Sequence, residues 1–292
     1  MTSVKEIRAK VLLSHVKQPD PWFGLKYSMN LYRGCQHRCI YCDSRSDCYG
    51  IEDFDREVLI KTNALDRLQI ELARKRVIGT IGTGSMNDPY MPLEKKLNLT
   101  GRALQIIAAF RFPVHIITKS DLVLKDLAVL GAIHKVYAAV SFSITTSDDM
   151  LAKKLEPGAP PPSGRLAAMA ELASHGILTG VTMMPILPFI EDNTKNITKI
   201  ITRAAEHGAS YILPWFGISM RDRQRDHFFA ELDRHFPGTK AKYQRRYGQR
   251  YDCHTPDAYR LQQVFEELCN RHALATRMPV YQRFEPNQMP LF

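Results

Sequence analysis

Arg33-Gly34-Cys35-Gln36-His37-Arg38-Cys39-Ile40-Tyr41-Cys42-Asp43 holds three of the chain's six cysteines within eight residues. Three residues separate the first two cysteines and two separate the last pair. Thiolates this close in one loop reach a common centre, and soft sulfur ligands suit iron–sulfur clusters, zinc or copper(I). A four-iron cluster has four corners, so three cysteines leave one iron open to bind and activate something. The alternative is a structural zinc site closed by Cys48 or His37 in a nucleic-acid-binding protein. Zinc motifs more often carry two separated Cys-x-x-Cys pairs, and this sequence holds a single one.

Composition sets the outer bounds. A chain of 292 residues accommodates one large domain or two small ones. With 45% hydrophobic and 24% charged residues it reads as an ordinary globular protein with a sizeable core. No run of about 18 apolar residues occurs, so no membrane span is expected. Met1 to Lys10 is polar and lacks the apolar centre of a signal peptide. Cysteines gathered in one loop are not a disulfide framework, so a reducing, cytoplasmic setting is expected. A net charge of +10 and a pI near 9.3 suit a polyanionic partner or substrate, or only a solvated basic surface.

Outward from the cysteine loop the chain alternates between strand and helix. Residues 1–26 read as an arm, broken by Pro19-Asp20-Pro21 and anchored by Trp22 and Phe23. Tyr27 to Tyr32 reads as a strand, and Gly34 allows a tight turn into the cysteines. Leu65, Leu68 and Leu72 stripe one helical face. Further strands are read at 77–81, 114–117, 136–142, 177–184 and 209–215. A helix runs from Asp121 to Ile133, and others start at Thr100, Ser163 and Asn193. Six such strands with right-handed crossovers form a parallel sheet of the α/β class that curls into a barrel or partial barrel, the count of six suiting a partial (β/α)6 TIM-type barrel. Its chemistry belongs at the C-terminal ends of the strands.

The barrel is expected over 27–220 and a mainly helical extension over 221–292. Arg221 to Phe236 reads as a helix with Phe228, Phe229 and Leu232 inward. From Arg234 to Arg250 there are six Lys/Arg and no Asp/Glu, with Tyr243 and Tyr247 offered as stacking partners for bases. Thr255 and Pro256 open a last helix striped by Leu261, Val264, Phe265 and Leu268.

The cysteine spacing, with Tyr41 before the last cysteine, resembles the radical S-adenosylmethionine (SAM) enzymes. Gly82 to Glu94, Ile117 to Ser120, Val140 to Thr145 with Leu155 to Pro160, and Gly180 to Pro188 resemble the spore photoproduct lyase-like branch. These stretches span most of residues 27–215 in order. The resemblance implies a [4Fe-4S] cluster on Cys35, Cys39 and Cys42, with SAM on the open iron. It implies reductive SAM cleavage to a 5′-deoxyadenosyl radical and a reductant protein of flavodoxin or ferredoxin type, with nucleic acid as a candidate substrate. Tyr41, Ser85, Lys119 and Ser143 are the implied SAM contacts. Asp43, Asp88, Glu156 and His37 are further candidates near the site, while Cys269 reads as a core thiol. Cys48 and Cys253 read as inert thiols or as redox or hydrogen-donating ones.

The pattern departs from the family at two points. Gly82-Thr83-Gly84-Ser85 lacks the glutamate of the Gly-Gly-Glu loop found in many radical SAM enzymes. The same loop also lacks the cysteine that serves spore photoproduct lyase as hydrogen donor, so thymine-dimer repair by that route is not expected.

Overall fold

The computed structural model describes residues 3–18 and 20–282. Strands β1 (Ser3–Ile7), β2 (Leu13–His15), β3 (Tyr27–Met29) and β4 (Tyr32–Arg33) precede the cysteines. Past them come β5 (Glu57–Lys61) and α1 (Ala64–Ala73). The chain then alternates through β6 (Ile81–Thr83), α2 (Glu94–Leu97), α3 (Leu99–Ala109), β7 (Val114–Thr118), α4 (Leu127–His134) and β8 (Ala138–Ser143). Helices α5 (Asp149–Leu155) and α6 (Pro162–Ser174) lead to β9 (Leu178–Met183), α7 (Thr194–Glu206) and β10 (Tyr211–Pro214). The extension adds β11 (Gly217–Ser219), α8 (Asp222–His235), α9 (Thr239–Tyr247), β12 (Asp252–His254) and α10 (Ala258–Arg271).

The main sheet runs β10-β9-β8-β7-β6-β3-β2. Its first six strands are parallel and β2 pairs antiparallel with β3. This is the anticipated partial barrel of six parallel strands. All six residues of β8 are buried, because helices cover one side of the sheet and its own concave side packs on the other. Fully burying each Leu, Ile or Phe here contributes roughly 1.5–3 kcal/mol. Ile197, Ile200 and Ile201 of α7 and Leu261 and Phe265 of α10 join the same core. The outer edge of β10 is covered by the segment after α10, where Ile212 N donates to Ala275 O at 2.9 Å. Covering that edge removes a template for unwanted strand pairing.

Several expectations change. The amino-terminal arm builds two strands: β1 pairs in parallel with β5, and β2 extends the main sheet. The residues of β1 are almost all exposed, so no alternation in the sequence announced it. Trp22 is 43% exposed, whereas Phe23 stacks on His115 with ring centroids 4.6 Å apart. Tyr27 to Tyr32 divides into β3 and β4, which join different sheets. The second barrel strand starts at Ile81, and Val77 and Ile78 stay exposed. Asn98, in the left-handed conformation, precedes α3, so Thr100 lies inside the helix and its hydroxyl donates to Pro89 O at 2.6 Å. Pro162 opens α6, and Ser163 N donates to Asp149 Oδ1 at 3.0 Å. Asn193 caps α7 as expected, accepting from Asn196 N. Met1, Thr2, Pro19 and residues 283–292, parts of the expected arm and extension, lie outside the described residues.

A second apolar cluster links the extension to the cysteine loop. Cys39, Ile40 and Tyr41 pack with Ile218, Phe228 and Tyr243. Tyr243 and Tyr247 are therefore buried, at 0% and 5% exposure, and are not available to stack on bases. Their basic neighbours Arg245 and Arg246 form the solvated face of α9.

Candidate functional site

The cysteine loop is held by backbone contacts that its glycines permit. Gly34 has φ of +81°, and a Cβ there would stand 2.5 Å from Glu57 O. Gly158 lies so close that a Cβ would stand 2.1 Å from Gln36 O. That approach lets Gly158 N donate to His37 O and Ile40 N to Leu155 O, both at 2.9 Å. From the other side, Gln224 Nε2 donates to Tyr41 O at 3.1 Å and Arg45 Nε to Cys39 O at 3.3 Å. Ser44 Oγ donates to Met86 O at 2.7 Å, tying the loop to the segment after β6.

Cys35, Cys39 and Cys42 line one cleft that is open to solvent. Ser85 and Asp88 enter it from the loop after β6, Lys119 from the end of β7, and Ser143 as the last residue of β8. Gly84, with φ of +101°, makes room for this, since a Cβ would stand 1.9 Å from Ile117 O. The cleft therefore sits at the strand C-terminal ends, where crossover folds place their chemistry.

Two buried carboxylates organise its polar wall. Asp88 accepts from Thr118 Oγ1 at 2.8 Å, Lys119 N at 2.6 Å and Tyr90 N at 2.8 Å. Burial alone would raise its pKa, but His37 and these donors outweigh it and hold the carboxyl at about 2. The His37 Nδ1 stands 3.3 Å from Asp88 Oδ2, and its ring is buried. Glu156 accepts from Tyr41 Oη and pairs with Arg165 Nη2 at 2.5 Å, while Lys119 Nζ lies 3.9 Å away. Burial opposes its ionisation; Arg165 and Lys119 prevail and lower its pKa. On Lys119 burial again works against charge, and Cys39 and Glu156 prevail to raise the pKa. Lys119 is thus a cation at the floor of the cleft.

The donor set suits an iron–sulfur group. Three sulfurs face one cavity, and among the described residues no three His, Cys, Asp or Glu close on a single-ion position. Burial pushes the Cys35 thiol up to about 12 and raises Cys39 and Cys42 as well. Metal binding must then displace those protons, which couples loading to pH.

The expected site residues divide by placement. Cys35, Cys39, Cys42, Ser85, Lys119 and Ser143 share the cleft. Tyr41 stands behind it, its hydroxyl used on Glu156 and its ring centre 5.8 Å from Lys119 Nζ. Asp43 is outside, held by Arg221 and by the Tyr49 hydroxyl at 2.9 Å. Cys253 and Cys269 are buried thiols, and Cys48 is exposed beside a neighbouring groove. Arg165 was missed. It is a lone arginine in the apolar stripe of α6, fully buried, donating also to Ser143 O at 2.8 Å and Pro160 O at 2.9 Å. An arginine between Gly164 and Leu166 in a core-facing helix is the signal that called for a buried acid.

Three thiols converging at the C-terminal mouth of a six-stranded parallel barrel define a class, and sequence comparison agrees. The family described as the Radical SAM superfamily matches residues 29–201, and the chain belongs to it. The chain is a radical SAM enzyme, a family that implies a [4Fe-4S] cluster and SAM as cofactors.

Particular relatives follow. An uncharacterized protein of Mycobacterium tuberculosis (strain ATCC 25618 / H37Rv) is 31% identical over 244 residues, covering 80% of this chain and 70% of the relative. An uncharacterized protein of Methanocaldococcus jannaschii is 33% identical over 189 residues, 64% of this chain and 69% of the other. A radical SAM Nalpha-GlyT isomerase of Pseudomonas phage M6 is 22% identical over 209 residues, 72% of this chain and 41% of its own length. Among solved structures, spore photoproduct lyase complexed with dinucleoside spore photoproduct superposes with a TM-score of 0.69 at 17% identity. That match covers 92% of this chain and 79% of the other, and it shows a shared fold. Among the described residues no helix is long and apolar enough to cross a membrane.

Proposed function

We propose that this enzyme cleaves SAM reductively and applies the 5′-deoxyadenosyl radical to an anionic, nucleic-acid-like substrate. The single cleft shared by Cys35, Cys39, Cys42, Lys119 and Ser143 carries the reading. When bound on the three cysteines, a [4Fe-4S] cluster supplies the electron that breaks the sulfonium bond of SAM. Lys119 holds the carboxylate of SAM by a charge-assisted bond, which Glu156 and Tyr41 aim from behind. The Ser143 hydroxyl, already accepting from Thr182 Oγ1 at 3.0 Å, donates to a ribose hydroxyl or to the carboxylate. Ser85 and the backbone freed by Gly84 meet the amino group. The zinc reading is not favoured, because the family match runs through all three cysteines.

Substrate class is supported by a second groove of about 800 Å³ that adjoins the cleft, the two sharing Ser44, Met86 and Asn87 as lining residues. Arg33 and Lys61 line it, and none of its lining residues is acidic. Burial and the nearby Arg33 charge both lower the pKa of Lys61, as expected of two cations awaiting an anion. Tyr49, Met86 and Val11 add an apolar side suited to a base. The ligand of the superposed lyase is a dinucleoside, which agrees with the base-binding side of that chemistry. The test is anaerobic incubation of iron-loaded, dithionite-reduced protein with SAM. 5′-Deoxyadenosine and methionine should form, and deuterium from a labelled oligonucleotide substrate should enter the 5′-deoxyadenosine. Absence of 5′-deoxyadenosine with a loaded cluster would overturn the reading.

A further inference from the structure

The cysteine loop sends side chains into two different clefts. Cys35, His37, Cys39 and Cys42 face the cleft described above. Arg38 and Ile40, the alternate residues, line a different one of about 810 Å³ on the opposite side. Helix α5 contributes Lys153 and Lys154 to it, and α8 contributes Arg234. With Arg45 these make five permanent cations against two carboxylates, Asp55 and Glu231. The carboxylates are already engaged, Asp55 with Arg45 and Glu231 with His235. Lys153 Nζ donates to the Pro157 carbonyl at 3.0 Å, and Lys154 Nζ lies 6.0 Å from the Phe236 ring centre. No ion pair joins Lys153, Lys154 or Arg234 to a carboxylate among the described residues, and all three are exposed.

We infer that this basic cleft docks an acidic one-electron carrier protein, which reduces the iron–sulfur group from the side opposite SAM and substrate. The inference rests on the radical SAM reading. On that reading SAM and the cationic, anion-binding groove take the inner side of the loop, which leaves the outer side to a donor protein. Arg45 connects the two sides, lining the basic cleft while its Nε donates to Cys39 O at 3.3 Å. A nucleic acid on this face would be separated from the radical by the loop itself. Among its described lining residues there is no Phe, Tyr or Trp to stack on bases; the rings present are His227 and His235, the latter held by Glu231. Opposite charge instead steers a transient protein encounter, the kind typical of small redox interfaces. The electron balance is simple: the carrier loses one electron, the iron–sulfur group gains it, and no bond or proton is exchanged.

The experiment uses the full chain with Lys153→Glu, Lys154→Glu, Arg234→Glu, and a charge-conserving Lys153→Arg, Lys154→Arg control. The probe is purified oxidised flavodoxin, titrated at low salt and again at about 0.5 M salt. Wild type and the arginine control should bind, the charge reversal should weaken binding more than tenfold, and high salt should weaken wild type likewise. Flavodoxin-driven formation of 5′-deoxyadenosine should fall in parallel, while the dithionite-driven rate stays at the wild-type level. Flavodoxin binding indifferent to charge reversal overturns the inference. So does loss of single-stranded DNA or RNA binding in the reversal with carrier binding intact, which would assign the face to a strand. If wild type makes no 5′-deoxyadenosine even with dithionite, the functional reading fails, and the binding titration still decides the surface.

Discussion

The Arg165 guanidinium rests on the Glu156 carboxylate with both side chains only 1% exposed, directly behind the cleft that holds Lys119. Such a pair is stable chiefly because each charge answers the other; removing one partner strands the second in a dry interior. Glu156→Gln or Arg165→Met alone should therefore cost about 3–5 kcal/mol. The double variant should be less destabilised than the sum by on the order of 0.5–3 kcal/mol. Urea unfolding of the four proteins measures this, and additive losses would remove the coupling.

Gly158 sets the position of the cysteine loop by contact alone. A Cβ 2.1 Å from Gln36 O meets backbone, not a yielding side chain, so Gly158→Ala must push the loop away. The variant should lose more than about 1 kcal/mol of stability and hold less iron. Gly131, in α4 with nothing within 4 Å of an added Cβ, is the control. Gly131→Ala should stabilise by roughly 0.5–1 kcal/mol, since alanine is the better helix residue. Equal iron content in both variants would show that the Gly158 contact does not matter to the site.

Each of Cys35, Cys39 and Cys42 should be required for the iron–sulfur group, and Cys48 should not. Anaerobic purification of the four single Cys→Ala variants with iron analysis is the measurement. Full iron content in Cys39→Ala, or its loss in Cys48→Ala, would contradict the assignment.

Lys119→Ala should keep its iron but bind SAM about tenfold more weakly or worse. A charge-assisted bond in a partly dry site contributes roughly 1.5–3 kcal/mol, and ~1.4 kcal/mol is a decade in affinity. Equilibrium binding of SAM to wild type and variant decides it. Unchanged affinity would leave Lys119 as the partner of Glu156 only.

Much of the fold was legible because its information is local. The barrel strands are apolar runs between helices with 3.6-residue stripes, and all six appear, displaced by a few residues where sheet pairing overrode local pattern. The displaced start of the second strand shows how: Val77 and Ile78 look like strand residues, yet the main sheet is joined only from Ile81. That Cys35, Cys39 and Cys42 share a cleft with Ser85, Lys119 and Ser143 was legible because short spacing and strand ends place them. The exposed strand β1 and the buried Arg165 were not, since each depends on a partner far along the chain. Tyr243 and Tyr247 were misread for a related reason. Their basic neighbours suggested a surface, while helical periodicity turns both rings inward against Phe189 and Phe228.

The last expectation concerns the anion groove. Arg33 is exposed at the end of β4, one residue before the turn at Gly34, and Lys61 ends β5 beside it. Lys61 Nζ donates to Asn30 O at 2.6 Å, and the Asn30 side-chain oxygen is buried without a partner. The groove thus offers two cations with no acid to quench them, and an amide oxygen free to accept from a base or hydroxyl. A single strand lying there releases about 0.7 counterion for each phosphate met, so binding must weaken as salt rises. Replacing both cations, Arg33→Gln and Lys61→Gln, should lower the slope of log affinity against log salt by about 1.4, which is 0.7 for each of two contacts. Arg245→Glu with Arg246→Glu, on the solvated face of α9, serves as the comparison and should leave cleavage of SAM untouched. Titration of a short single-stranded DNA and of its RNA counterpart at three salt concentrations reads the slopes. A slope unchanged by the loss of Arg33 and Lys61 would take the phosphate out of this groove and turn the substrate search to uncharged molecules.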